Sequence, residues 1–120
     1  MVDSVGICLF TSAAWGTDEL QVQISAACGD DWTSERLLTT GERIWNLERL
    51  FNLQAGMTRA DDTLPPRLLE TPAPAGVAKG RVSELATMLP EYYALRGWND
   101  AGQPTSETLD RLGLQQYRAA

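Results

Sequence analysis

A chain of 120 residues with 43% aliphatic and aromatic side chains suffices for one compact domain and is too apolar to be disordered. Sixteen acidic against ten basic residues give a net charge of −6, with Lys79 the lone lysine and no basic stripe, which argues against nucleic acid as a partner. Histidine is absent and the cysteines are Cys8 and Cys28, which removes His-based nucleophile pairs, His-ligated zinc and any self-contained four-thiolate site.

The opening stretch, Met1 to Ala14, carries no charge after Asp3 and is expected to lie inside something. Thr17, Asp18 and Glu19 read as a helix start, with Thr17 as the capping hydroxyl; Leu20, Ile24 and Ala27 follow at helical spacing, and Gly29 ends the helix. Thr33, Ser34 and Glu35 start a second helix, expected to run to about Gln54. Its apolar stripe is Leu37, Ile44, Leu47, Leu50 and Phe51, with Glu42, Arg43 and Arg49 on the opposite face. Gly56 stops it.

Residues 57 to 79 hold Pro65, Pro66, Pro72 and Pro74, which exclude a regular helix over most of the stretch, while Leu64, Leu68 and Leu69 suggest that it is pinned to a larger body. Val82, Leu85, Leu89 and Tyr92 mark a third helix up to about Arg96, which Pro90 must kink or restart. Trp98 to Gly102 is a turn, and Thr105, Ser106 and Glu107 start a last short helix with Leu109 and Leu112 inside. No run alternates with period two. The class is all-α, an irregular helical domain with a long proline-rich loop. No apolar run approaches the ~20 residues of a membrane span, and with no leader peptide apparent the thiols read as reduced and the chain as cytoplasmic.

Chemistry concentrates at Asp3-Ser4-Val5-Gly6-Ile7-Cys8. Gly lets a backbone approach a ligand closely, Asp accepts hydrogen bonds from ring N–H donors, and a thiolate binds iron. By residue type alone, a buried structural thiol is the commoner outcome for Cys8, and the same reading, a small core residue, is preferred for Cys28. Asp61 and Asp62 lie between Arg59 and Arg67 and read either as an ion-pair network or as a solvated loop face. Asn99 to Gly102 lacks the ligand ladder of a calcium loop and reads as a turn. No catalytic residue is assigned.

Gly41 to Asn52 (GERIWNLERLFN) resembles the long helix near the end of the tungsten-containing aldehyde:ferredoxin oxidoreductases. Arg59-Ala60-Asp61-Asp62-Thr63-Leu64-Pro65 with Arg67 is similar to that family's proline-containing loop. Ala78-Lys79-Gly80, Leu89, Glu91 to Trp98 and Gly102 to Thr105 are similar to its terminal segment. The resemblance is colinear from Asp3 to about Leu114.

The resemblance implies that the opening segment is the family's Asp-x-x-Gly-Leu-Cys motif, with Ile7 in the Leu position. Cys8 then becomes the last of four ligands to a 4Fe-4S cluster, the other three belonging to an upstream CxxCxxxC. Asp3 and Ile7 become contacts to one of two pterins that chelate tungsten or molybdenum, and Gly6 provides the tight turn between them. Residues 1–120 become the C-terminal helical domain of an oxidoreductase that converts aldehydes to carboxylic acids. Its partners would be its own upstream cofactor-binding domains and ferredoxin. On this view Met1 is a truncation point, and the 120 residues alone hold no cofactor and do not turn over aldehyde. The alternative is a free-standing helical interaction module or subunit without cofactor.

Overall fold

A computed structural model describes residues 2–117. Five α-helices follow in order: α1 Thr17–Cys28, α2 Ser34–Gln54, α3 Pro66–Glu70, α4 Leu85–Arg96 and α5 Ser106–Leu112. Short 3-10 turns lie at Asp3–Val5, Leu9–Ala13, Arg59–Asp61 and Gln115–Tyr117. Among the described residues there is no β-strand, only isolated bridges between Ala73 and Lys79 and between Trp98 and Pro104. The chain is therefore helical, as its periodicities require. It divides into two compact units, one ending at Glu48 and one beginning at Arg49.

In the first unit, α1 starts where the acidic residues place it, but its cap is a different group. Thr17 is already helical; Gly16 precedes the helix, and its N–H donates to Glu19 Oε2 at 2.8 Å. A glutamate at the third helical position reaches back as readily as a hydroxyl reaches forward, so Glu19 does the capping. α2 begins as the sequence indicates, with the Arg36 N–H donating to Thr33 Oγ1. Ser34 Oγ fixes the turn between α1 and α2 by bonding Asp18 Oδ1 and Gln21 Oε1. Arg36 pairs with Asp30 at 2.7 Å and lies over the Trp32 ring, 4.1 Å from its centroid. Leu20, Leu37 and Asn46 are buried.

The second unit owes its order to glycine-terminated helices. α2, α4 and α5 each close on a glycine in the left-handed region: Gly56, Gly97 and Gly113. After each, the next N–H reaches back to a carbonyl five residues earlier: Met57 to Asn52, Trp98 to Tyr93, and Leu114 to Leu109. This is the Schellman arrangement, which brings the apolar residue beyond the glycine down onto the helix it has just left. Leu114 thereby joins Leu109 and Leu112 in a buried cluster, against which Leu50 packs. Burial of each such leucine contributes about 1.5–3 kcal/mol. Trp98 is placed in the same way beside Tyr93, ring centroids 5.8 Å apart, with Tyr92 edge-on to Trp98 at 5.7 Å. Thr105 Oγ1 caps α5 by accepting from the Thr108 N–H.

Residues 57–84 carry local structure despite their prolines. Asp61 Oδ2 accepts from both the N–H and Oγ1 of Thr58, closing a one-turn helix. Pro66 opens α3 at the position where its missing N–H costs nothing. The Ser83 N–H bonds the Leu68 carbonyl, and Ala73 exchanges backbone bonds with Gly80 and Arg81, so the excursion is stitched to itself. Leu64 and Leu69 are half-buried while Leu68 is exposed. Val82 lies ahead of α4, and α4 continues through Pro90 without restarting; the ring removes one helical donor from an otherwise continuous run.

Three burial expectations are corrected. Leu47 and Phe51 are exposed, whereas Arg49, expected on the solvated face of α2, is buried. The opening segment, expected to be enclosed, presents Leu9 and Phe10 to solvent. Cys8 and Cys28 are both exposed free thiols and do not fill a core.

Candidate functional site

Two constellations carry chemistry, one in each unit. The first is the opening motif. Asp3 to Val5 make one 3-10 turn, and Gly6 ends it at φ +75° with its N–H on the Asp3 carbonyl at 3.2 Å. That left-handed conformation suits glycine and reverses the chain between Asp3 and Cys8. Ile7 is half-buried and Cys8 is extended. The Cys8 carbonyl accepts from the N–H and the Oγ1 of Thr11, which locks the residue at the head of the Leu9–Ala13 turn. Asp3, Gly6, Ile7 and Cys8 thus fall within two consecutive turns.

The residues present fit the implied groups. The Cys8 thiol is accessible, as a ligand to an external cluster must be. Asp3 is exposed, and among the described residues its carboxylate has no side-chain hydrogen bond, which leaves it open to ring N–H donors. The N–H groups of Ile7 and Cys8 donate no backbone hydrogen bond among the described residues, so both remain open to an acceptor. Among these residues no group of three or more His, Cys, Asp or Glu could hold a metal ion.

The second constellation joins residues that lie far apart in the sequence. Arg49 of α2 holds Asp62 in a two-pronged pair, Nη1 to Oδ1 at 2.8 Å and Nη2 to Oδ2 at 2.5 Å, and its Nε–H donates to the Gly102 carbonyl at 2.7 Å. The Tyr93 hydroxyl donates to the same Asp62 Oδ2. The Arg49 guanidinium also lies 4.9 Å from the Trp98 ring centroid. Only 6% of the Arg49 side chain and 15% of that of Asp62 is exposed. Burial pushes the Asp62 carboxyl up, but hydrogen bonds from Arg49 and Tyr93 outweigh it and hold it below the usual carboxylate range. Burial and the bond to Asp62 raise the Tyr93 phenol. Arg59 does not pair with Asp62; it donates to the Asp100 carbonyl and lies 5.6 Å from the Tyr93 ring centroid.

The groups of this centre are turned on one another and largely buried. The centre is a clamp, joining the end of α2, the proline-rich stretch, α4 and the 99–102 turn within one unit. Asn99 Oδ1 accepts from Ala101 and Gln103, which makes the turn an Asx turn and not a cation loop. An open groove of about 690 Å³ lies between Pro65, Leu68, Pro72, Pro74 and Val82, with Arg67 and Arg81 at its rim. It holds no acid, base or nucleophile pair.

A family model described as aldehyde ferredoxin oxidoreductase, domains 2 and 3, matches residues 1–114. The tungsten-containing aldehyde ferredoxin oxidoreductase of Pyrococcus furiosus is 50% identical over 118 residues, covering 98% of this chain and 20% of the relative. That of Thermococcus kodakarensis is 48% identical over the same share. More distant is the WOR-like subunit of an aliphatic sulfonate oxidoreductase from Pyrococcus furiosus, 32% identical over 97% of this chain and 20% of the relative. Among solved structures, the active site complex BamBC of benzoyl coenzyme A reductase with 1,5-dienoyl-CoA superposes with a TM-score of 0.69 at 36% identity. The match covers 86% of this chain and 14% of that one. The chain spans about a fifth of the length of the curated relatives it matches.

Proposed function

The chain belongs to the aldehyde ferredoxin oxidoreductase family, and from that premise we propose that it is the C-terminal helical part of a tungstopterin, 4Fe-4S oxidoreductase. The whole protein converts aldehydes to carboxylic acids and delivers the electrons to ferredoxin. Relatives at 47–50% identity carry the aldehyde name and the sulfonate relative stands at 32%, which supports an aldehyde as the substrate class.

One observation carries this reading: an accessible Cys8 thiol two residues beyond a left-handed Gly6, with an unengaged carboxylate at Asp3 on the other side of the turn. When bound, the metal–pterin and the cluster supply the two-electron oxidation and the route out for the electrons. This chain's residues hold and orient. Cys8 supplies one thiolate to the cluster. The Asp3 carboxylate accepts ring N–H donors from a pterin, the Ile7 backbone touches the same ring, and Gly6 sets the spacing between the two contacts. Exchange of Leu for Ile at position 7 preserves a contact made by backbone. A cytoplasmic location agrees with thiols kept reduced.

The test is Cys8→Ser in the complete protein. Cluster absorption and the electron paramagnetic signal should be lost, or converted to those of a three-iron species, while tungsten content falls less. An unchanged cluster spectrum sinks the proposal and favours an interaction module without cofactor, which needs neither Asp3 nor Cys8.

A further inference from the structure

The turn after Cys8 is organised about one residue. The N–H and the Oγ1 of Thr11 both donate to the Cys8 carbonyl, at 3.0 and 2.7 Å. The Thr11 carbonyl in turn accepts from the N–H groups of Ala14 and Trp15, at 2.9 and 2.8 Å. Four hydrogen bonds therefore meet on Thr11, two reaching back to the candidate ligand and two reaching on toward Gly16, the residue that precedes α1. Thr11 is also half-buried, whereas Cys8, Leu9, Phe10, Ser12 and Ala13 are exposed.

A thiolate is placed by its own backbone. Two donors on the Cys8 carbonyl fix the peptide plane that follows Cys8 and leave rotation about fewer bonds between the turn and the sulfur. The bond from the Thr11 N–H is one that a 3-10 turn makes with almost any residue. The bond from Oγ1 needs a serine or threonine, and the branched Cβ of threonine restricts its χ1. Ser12 makes the same kind of bond one residue on, from Oγ to the Leu9 carbonyl at 2.6 Å. The two hydroxyls thus support the same turn, but Thr11 alone of the pair grips the residue that bears the thiol.

We propose that Thr11 is the positioning residue for the Cys8 thiolate: its hydroxyl fastens the Cys8 backbone to the turn that leads into α1 and so holds the sulfur where the cluster needs it. The inference rests on the cluster reading of Cys8 given above. Groups that orient a metal ligand without touching the metal typically change affinity by about 10- to 100-fold when removed.

The test compares Thr11→Val, Thr11→Ser and Ser12→Ala in the complete protein. Two quantities are read: the rate at which the cluster loses iron to a chelator, and the electron paramagnetic spectrum of the reduced cluster. Thr11→Val keeps the shape and removes the hydroxyl, so iron loss should quicken by about tenfold or more and the spectrum should change. Thr11→Ser and Ser12→Ala should both stay close to wild type. Thr11→Ala is the second variant, read in the same way if Thr11→Val loses the helical signal. A wild-type rate and spectrum in Thr11→Val overturn the inference. So does an equal effect of Ser12→Ala, which would make the hydroxyls general supports of the turn, or a failure of Thr11→Ser to restore the wild-type values. Cys8→Ser separates this claim from the one beneath it. If Cys8→Ser leaves the cluster unchanged, the ligand reading falls and the role of Thr11 with it. If Cys8→Ser destroys the cluster while Thr11→Val is silent, the positioning role alone is rejected.

Discussion

The two units of this chain solve the problem of burial in different ways. The unit beginning at Arg49 buries Leu109, Leu112 and Leu114 together, buries Tyr93 and Trp98 as well, and encloses an ion pair. The unit ending at Glu48 buries Leu20, Leu37 and Asn46 but leaves Leu9, Phe10, Val22, Leu38 and Trp45 exposed. Its Trp32 Nε1 is buried without a hydrogen-bond partner, the one such side-chain atom among the described residues. Such an orphan donor costs about 1–3 kcal/mol. Both units carry exposed apolar side chains, Phe51, Val77 and Leu95 among those of the second, so the difference lies inside: the second encloses a hydrogen-bonded ion pair and the first a donor left unpaired.

The sharpest way to break this contrast is to remove the clamp. Arg49→Ala leaves Asp62 and the Gly102 carbonyl buried without their partner, so global stability should fall by about 3–5 kcal/mol. Denaturant unfolding followed at Trp98 measures it. The paired replacement Arg49→Met with Asp62→Leu should cost far less, since an apolar pair leaves no uncompensated charge. If both cost the same, packing and not charge pairing holds these elements together.

Gly102→Ala should rank next. Gly102 has φ +71°, and an added methyl group would overlap Arg49 Nη2 and crowd the Tyr93 hydroxyl. Backbone strain and overlap together should cost about 3 kcal/mol. Gly113→Ala meets the strain alone, because nothing lies within 4 Å of the added carbon, and should cost about 1–2 kcal/mol. Equal losses at the two sites would mean that the clamp yields to a methyl group.

These residues also show what the sequence could and could not reveal. Helix ends are legible where their causes are local: Thr33 and Thr105 accept bonds three residues on, and Gly29 and Gly56 occupy a backbone region that other residues avoid. The opening motif was legible as a resemblance, and Gly6 does turn the chain as expected. The burial of Arg49 was not, because periodicity sorts faces by polarity and assigns an arginine to water. Its partners lie 13 and 53 residues away, and no local pattern announces them. Asp61-Asp62 does read as an ion-pair network in the sequence, but the arginines near it in the chain are Arg59 and Arg67, and Asp62 pairs with the distant Arg49. Leu47 and Phe51 failed for the converse reason: an apolar stripe states what can be buried, not what is.

Acid should act on the second unit through Asp62. Its folded-state pKa lies below the unfolded value of about 3.9, so the carboxylate contributes stability above that value, and the contribution is lost as pH falls through the folded one. Melting temperature should therefore drop below about pH 4, and Asp62→Asn should flatten that limb while lowering the plateau at neutral pH. At the alkaline end the Tyr93 phenol is raised, so the neutral form it contributes is lost as pH rises through its folded value, above about 10. Tyr93→Phe should remove that limb and leave the acid one.

The smallest stability effect should come from the most exposed aromatic residue. Phe10 rests on nothing that would notice its loss, so Phe10→Ser should change the unfolding free energy by no more than about 0.5 kcal/mol. The same substitution should lower binding of a dye that reports exposed apolar surface, because that surface is what the first unit offers. Val22→Ser, also exposed but on α1, should lower dye binding in the same way, since its side chain too lies open to water. If neither variant lowers it, the dye reads apolar surface elsewhere, such as that around Val77 and Leu95.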